Sequence, residues 1–318
     1  MKEGKAALWG IILAGGEGER LKGFVQEQFG STMPKQFCAF VGRRSMLERT
    51  VKRARLLIPP ERLVVSGTAH HNSYLLRNLG SPPPGTVLLQ PANRDTAPGI
   101  LLPLIHILRK APQALVAILP ADHFILPGHR FMRAVWTAAQ FVAETNTTSP
   151  ILLAVKPDRP EPEYGWIKLG KFAKHRGQRI IRQTEQFVEK PSCDYADQLM
   201  REGWFWNTMV IVVRADALLD RVRMCLPNLA AWFTLLQRRL GEVSEHDCME
   251  EVYQAIPKVN FSTSVLADRD MKSLVLPVED IHWSDWGTKE RILDTAATLG
   301  LMPSARIGTP HDPVTISA

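Results

Sequence analysis

The feature that most constrains this chain is a series of short, uninterrupted apolar runs, each followed by a stretch long enough for an amphipathic helix. Residues 7–13, 62–66, 86–90, 115–119 and 151–155 read as strands, with helical patterns at 45–57, 97–110 and 131–144 between them. A strand apolar along its whole length cannot leave one face in water. Such runs therefore point to βαβ units in a parallel sheet covered on both faces. From Gly165 onward the pattern changes: strand-like segments at 166–169, 179–188 and 207–213 follow one another without regular helices. A broken helical stretch spans 215–255, and a strand at 273–278 and a helix at 288–298 close the pattern. The expectation is one α/β domain whose second half carries a smaller mixed lobe.

Composition narrows the class. With 318 residues, 45% of them hydrophobic and 22% charged, the chain can bury a sizeable core and is not of the disordered type. The formal charge of +7 favours anionic partners. Its basic clusters, Lys52-Arg53-Ala54-Arg55 and Arg238-Arg239, are interleaved with apolar helix positions, so they read as solvated helix faces and not as a nucleic-acid surface. The four cysteines lie far apart with no CxxC pair, which gives neither a disulfide framework nor a thiolate zinc site and suits a reducing compartment. The apolar run near the amino terminus is too short, and too soon broken by glycines, for a signal peptide or a membrane span. A cytoplasmic protein with no membrane or nucleic-acid partner is expected. A homodimer is compatible with the sequence, which does not specify an oligomeric state.

The first strand runs directly into glycines: Leu13-Ala14-Gly15-Gly16-Glu17-Gly18-Glu19-Arg20-Leu21. Glycines at the C-terminal end of a strand let backbone N–H groups come close to a phosphate, and open α/β sheets bind ligands at that edge. A Walker A loop is excluded, because Lys22-Gly23 is followed by Phe24 and the Gly-Lys-[Ser/Thr] ending is missing. The dinucleotide fingerprint is excluded as well, because its third glycine is replaced by Leu21.

With Pro34-Lys35-Gln36-Phe37, this loop resembles the signature of the sugar-phosphate nucleotidylyltransferases, mannose-1-phosphate guanylyltransferases in particular. Further segments match family motifs in order: Asn93-Arg94-Asp95-Thr96-Ala97-Pro98, Leu119-Pro120-Ala121-Asp122-His123, Glu163-Tyr164-Gly165-Trp166-Ile167, Phe187-Val188-Glu189-Lys190-Pro191, Trp206-Asn207-Thr208 and Trp283-Ser284-Asp285-Trp286-Gly287. The resemblance spans about 9–298. It implies a Rossmann-like nucleotidyltransferase domain with a central, mostly parallel mixed sheet flanked by helices, and a smaller sugar-binding lobe. That domain would occupy 1–302, with a nucleotide-binding half at about 1–160, a sugar-binding and closing half at about 161–302, and a loose tail at 303–318.

The chemistry the resemblance implies is attack by a sugar 1-phosphate oxygen on the α-phosphorus of a nucleoside triphosphate, GTP with mannose 1-phosphate, with release of pyrophosphate. Such a protein must hold two polyanions in line and neutralise the leaving oxygens. Leu13, Ala14, Gly15, Gly16 and Gly18 would then cradle the nucleotide, with Arg20 and Lys35 on its phosphates. Asn93, Asp95 and Thr96 would read its base or ribose, although Asp95 or Thr96 is equally placed to cap the following helix. Asp122 and Asp285, each beside an apolar strand end, would share Mg²⁺ with the phosphates. Neutralising either aspartate should then ease repulsion in the metal-free protein. Gly165, Glu189, Lys190 and Asn207 would hold the sugar phosphate. Tryptophans 204, 206, 283 and 286 read as core.

Two departures from the family stand out. The Arg20–Lys35 spacing is about four residues longer than usual, and Thr208-Met209 replaces the common Ser-Gly, narrowing the space near the sugar. Two alternatives remain: a sister transferase using UTP, dTTP or CTP, and an inactive relative that senses nucleotide sugars.

Overall fold

The computed structural model describes residues 7–173, 181–268 and 272–301, so the tail expected at 303–318 lies outside the described residues. Among the described residues the strands are β1 (Leu8–Leu13), β2 (Leu63–Thr68), β3 (Thr86–Gln90), β4 (Leu115–Pro120), β5 (Phe124–Leu126), β6 (Ile151–Val155), β7 (Gly165–Phe172), β8 (Arg182–Glu189), β9 (Phe205–Arg214), β10 (Leu274–Val278) and β11 (His282–Ser284). Nine of them form one sheet in the order β3-β2-β1-β4-β9-β6-β10-β8-β7, and β5 pairs with β11 apart from it.

The sheet is mixed, and its parallel part has a cause. β3, β2, β1 and β4 run parallel because a helix separates each consecutive pair of strands, and β1 and β4 are buried along nearly their whole length. β6 does not continue this block. β9 enters antiparallel between β4 and β6, pairing Val116 with Val213 and Leu152 with Ile211. The second half of the chain is therefore threaded through the first, and the two halves share a sheet. β7 closes back onto β9 through the Trp166–Trp206 pairing.

Two apolar layers cover the sheet. One carries Ile12, Leu63, Leu119, Phe131, Trp166 and Trp206; the other carries Ile11, Ile118, Ile211, Phe233 and the helix Thr96–Lys110. Adjacent residues Ile11 and Ile12 point to opposite layers, as the period of a doubly covered strand requires. The four tryptophans expected in the core are all buried, Trp204, Trp206 and Trp283 in the first layer and Trp286 in a smaller separate cluster. Arg53 departs from the expected solvated face: it is buried, its Nη2 donates to Thr50 Oγ1 at 2.9 Å, and burial pushes its pKa down to about 10. Lys52 and Arg55 on the same stretch are exposed, as are Arg238 and Arg239.

Within the lengthened Arg20–Lys35 segment, Lys22–Phe29 forms a short helix. Its Phe24 stacks on Phe40 at 6.0 Å, and Phe40 in turn meets Trp286 edge-on at 5.8 Å. The segment therefore packs a small third core beside the loop it follows.

Truncating the fully buried Ile11 to Ala removes methylenes from the layer beneath the glycine loop. It should lower stability by about 3 kcal/mol, whereas Leu56→Ala, at a side chain 60% exposed, should change it by less than about 0.5 kcal/mol. Denaturant unfolding of both variants checks the contrast.

Candidate active site

The glycine loop leaves β1 at the edge where β2 and β4 also end. Ala14 N–H donates to Ser66 O at 2.8 Å, and Ala121 N–H donates to Leu13 O at 2.9 Å. Gln36, fully buried, braces the loop from below: its Nε2 donates to Ala14 O at 3.1 Å and to Gly16 O at 2.7 Å. Gly18 sits at φ 69°, and a Cβ there would stand 2.9 Å from the backbone nitrogen of Lys35. Only glycine lets the Pro34-Lys35 segment come this close. Asn93 Nδ2 donates to Gly15 O at 3.1 Å and to Glu17 Oε1 at 3.2 Å, which ties the segment after β3 to the loop.

Asp95 and Thr96 are engaged differently. Asp95 is the N-cap of the helix Thr96–Lys110: its φ is 71°, and its carboxylate accepts from Thr96 N–H at 2.6 Å and from Asn260 Nδ2 at 3.3 Å. Thr96 Oγ1 accepts from Phe261 N–H at 2.8 Å. Both side chains are thus occupied in holding the helix start and the 260 region, the capping alternative read from the sequence.

The charged centre is built around Lys35, which is only 8% exposed. Its Nζ lies 3.0 Å from Asp122 Oδ2 and donates to Asp285 O at 2.7 Å. Asp122 follows β4 and Asp285 follows β11, so one ammonium ties together two strand ends 163 positions apart in the chain (285 − 122). Asp285 Oδ1 accepts from Tyr164 Oη at 2.7 Å, Gly287 N–H at 2.9 Å and Arg291 Nη1 at 2.8 Å. Its Oδ2 accepts from Arg20 Nη2 at 3.2 Å, while Arg20 Nη1 reaches Glu163 Oε2 at 2.9 Å. Arg291 Nη2 also meets Glu161 Oε1 at 2.5 Å.

Burial alone would raise both aspartates. For Asp285 the Lys35 and Arg291 charges more than reverse that, holding its carboxyl well below the usual carboxylate range. For Asp122 burial is likewise outweighed, by Lys35 and His123, and its pKa is also lowered. His123 is pushed down by burial despite Asp122 beside it, so the neutral imidazole is favoured. Asp122 Oδ1, with His123 Nε2 3.8 Å away, and Asp285 Oδ2, with its one long bond to Arg20, retain lone pairs. Two ionised carboxylates are a hard oxygen donor set, and they fit Mg²⁺.

The sugar-side residues also converge. Gly165 pairs with Glu189 in register, and a Cβ on Gly165 would fall 2.7 Å from Glu189 Oε2 and 3.3 Å from Asn207 Cβ. Burial raises the Glu189 pKa although Lys190 lowers it. Lys190 holds a left-handed φ of 48°, and its N–H donates to Tyr164 O at 3.1 Å. Tyr164 thereby links this group to Asp285. Met209, where the family more often has glycine, sits at φ 57°. That explains a preference for glycine at this position: the left-handed backbone costs an L residue about 1–2 kcal/mol. The Met209 side chain packs in the second apolar layer, and its sulfur accepts from Ser262 Oγ at 3.1 Å.

The sequence reading assigned no role to Gln36, Glu161, Glu163, Tyr164 or Arg291. Gln36, Glu163 and Tyr164 lie inside recognised motifs, so their position was a signal. Arg291 and Glu161 lie outside every motif.

The nucleotidyl transferase profile matches residues 9–300, nearly the whole described chain. The chain belongs to the nucleotidyl transferase family. It is 30% identical over 294 residues to the xanthan biosynthesis protein XanB of Xanthomonas campestris pv. campestris, covering 90% of this chain and 59% of that protein. It is 27% identical over 299 residues to the mannose-1-phosphate guanylyltransferase of Escherichia coli, covering 92% of this chain and 60% of that one. The chain thus spans about three-fifths of the curated relatives' length. Among solved structures, a mannose-1-phosphate geranyltransferase from Thermus thermophilus superposes with a TM-score of 0.74 at 29% identity, over 90% of this chain and 79% of that one. Among the described residues of this family member, no helix is long and apolar enough to cross a membrane.

The cations around Asp285 reverse the expectation that neutralising it relieves repulsion. Asp285→Asn should destabilise the protein by about 3 kcal/mol, because it removes the carboxylate charge that answers Arg291 and Arg20 and leaves Arg291 with Glu161 alone. A depressed carboxyl pKa contributes stability that is complete above the unfolded value of about 4 and is lost as pH falls toward the folded value. The wild type should therefore lose stability below about pH 4 more steeply than Asp285→Asn. Melting curves from pH 7 down to the acid limit measure both effects.

Proposed function

We propose that the protein is a sugar-1-phosphate nucleotidyltransferase that transfers GMP from GTP to mannose 1-phosphate, giving GDP-mannose and pyrophosphate. The observation that carries the reading is the convergence of Lys35, Arg20, Asp122 and Asp285 beside a braced glycine loop, with Gly165, Glu189 and Asn207 joined to them through Tyr164. The guanine and mannose assignments draw on the names of the relatives.

In this reading the backbone of residues 13–18 receives the nucleotide, its shape fixed by Gln36 and Asn93. Arg20, half-exposed and forked between Glu163 and Asp285, is free to turn one face of its guanidinium to the triphosphate. Lys35 keeps its ammonium against both aspartates and presents positive charge where the pyrophosphate leaves. Asp122 and Asp285 would hold Mg²⁺, which supplies charge neutralisation at the reacting phosphate and orients it. Lys190 and Glu189 bind the sugar phosphate and its hydroxyls, and Asn207 offers both a donor and an acceptor. No side chain need act as a nucleophile, because the sugar phosphate oxygen attacks directly; the residues align the two substrates and offset charge. The same reading keeps nucleic acid off the list of partners and places the reaction in the cytoplasm.

A panel of the four common triphosphates against mannose, glucose and other sugar 1-phosphates, with Mg²⁺ and pyrophosphate release as the readout, tests the proposal. GTP with mannose 1-phosphate should give the highest kcat/KM. A preference for UTP or dTTP would overturn the guanine assignment and leave a sister transferase. No turnover with any pair would overturn the enzymatic reading.

A further inference from the structure

Glu17 lies between Gly16 and Gly18 of the loop, and His70 and His71 lie in the turn Ala69–His71 that follows β2. No side chain of the three has a part in the reaction described above. Their side chains nevertheless meet at one atom: His70 Nε2 is 3.2 Å from Glu17 Oε2, and His71 Nε2 is 3.5 Å from the same oxygen. All three ligand atoms lie within 4.8 Å of one another.

The two nitrogen-to-oxygen separations match a coordination sphere. Ligands at about 2.0–2.1 Å from a tetrahedral ion stand about 3.4 Å apart along an edge. The surrounding contacts fit a metal site too. A ligating Nε2 needs its ring proton on Nδ1, and Thr68 Oγ1 stands 2.8 Å from His71 Nδ1, placed to accept it. The carboxylate's other oxygen, Glu17 Oε1, is fixed by Asn93 Nδ2 at 3.2 Å. Burial, with His70 beside it, lowers the His71 pKa and favours the neutral ring a metal requires. Charging both rings would serve this geometry poorly, because two imidazolium rings with centres 3.9 Å apart would repel, whereas one cation satisfies both neutral nitrogens and the carboxylate together.

We propose that Glu17, His70 and His71 form a binding site for a borderline divalent transition ion of the zinc and cobalt class, separate from the Asp122–Asp285 pair. Two imidazole nitrogens and one carboxylate select such an ion over Mg²⁺, which takes oxygen ligands. His70 is half-exposed, so the fourth position opens to water. The bound ion would clamp the glycine loop to the end of β2, and through Asn93 to the segment after β3. The site does not depend on which triphosphate the enzyme uses.

The test is titration of the tag-free, chelator-treated full chain with Co²⁺, followed by visible absorption. One ion per chain should bind with the intense band of four-coordinate Co²⁺, without the sulfur-to-metal absorption a cysteine ligand would add. Zn²⁺ should displace it, and a large excess of Mg²⁺ should not. Glu17→Gln and His71→Ala should each weaken binding by at least ~10-fold, while Asp122→Asn should leave it unchanged. Because His71 is buried, His70→Ala serves as the variant at an exposed position and should weaken binding in a protein that melts like the wild type. Failure to bind Co²⁺, binding unaffected by these variants, or binding lost in Asp122→Asn would each overturn the site. The substrate panel has its own readout, so it can fail while this titration succeeds.

Discussion

The ammonium of Lys35, 3.0 Å from the Asp122 carboxylate and 2.7 Å from the Asp285 carbonyl, is the contact on which the rest of the site depends. It is nearly buried, and a buried lysine persists only where its charge is answered. Two ionised aspartates brought to one strand edge would otherwise repel each other and the Glu161 and Glu163 carboxylates nearby. Lys35, Arg20 and Arg291 turn that cluster into a neutralised network whose geometry is set before any phosphate arrives. Such preorganisation is what makes charge stabilisation effective in phosphoryl chemistry.

The fold supplies the convergence. β1, β2 and β4 run parallel and end at the same edge, so the glycine loop, the His70–His71 turn and Asp122 are neighbours although far apart in sequence. β11 brings Asp285 to the same place by pairing with β5, the short strand just after Asp122. β9, inserted between β4 and β6, carries Asn207 next to Gly165 and joins the sugar-side residues to the same sheet. Tyr164 then couples the two sides, donating its hydroxyl to Asp285 and accepting from the Lys190 backbone N–H through its carbonyl.

Much of this was legible in the sequence where local rules govern. The doubly covered strands were marked by unbroken apolar runs, and β3 and β6 start and end where those runs do. The cap at Asp95 followed from its residue type and from the helix after it. What escaped was nonlocal. Arg291 and Tyr164 gain their roles from Asp285, 6 and 121 positions away; Tyr164 at least lies inside a motif, whereas nothing local marks Arg291 as special. The buried Arg53 looked like any other cation on a helix face, because only the tertiary packing puts it inside. The antiparallel course of β9 was hidden for a similar reason: an apolar strand reads the same in either direction. Met209 shows the opposite limit, a residue that resists its own backbone conformation and is held there by its neighbours.

A double-mutant cycle between Lys35 and Asp122, read by unfolding of the ligand-free protein, tests most directly whether the site is an interdependent charge network. Lys35→Met should be strongly destabilising, because it leaves Asp122 and Asp285 facing each other without their shared cation. Asp122→Asn in the Lys35→Met background should recover part of the loss, giving a coupling energy above about 1 kcal/mol. Additive effects of the two substitutions would contradict the account, and would mean that the two side chains sit together without depending on each other.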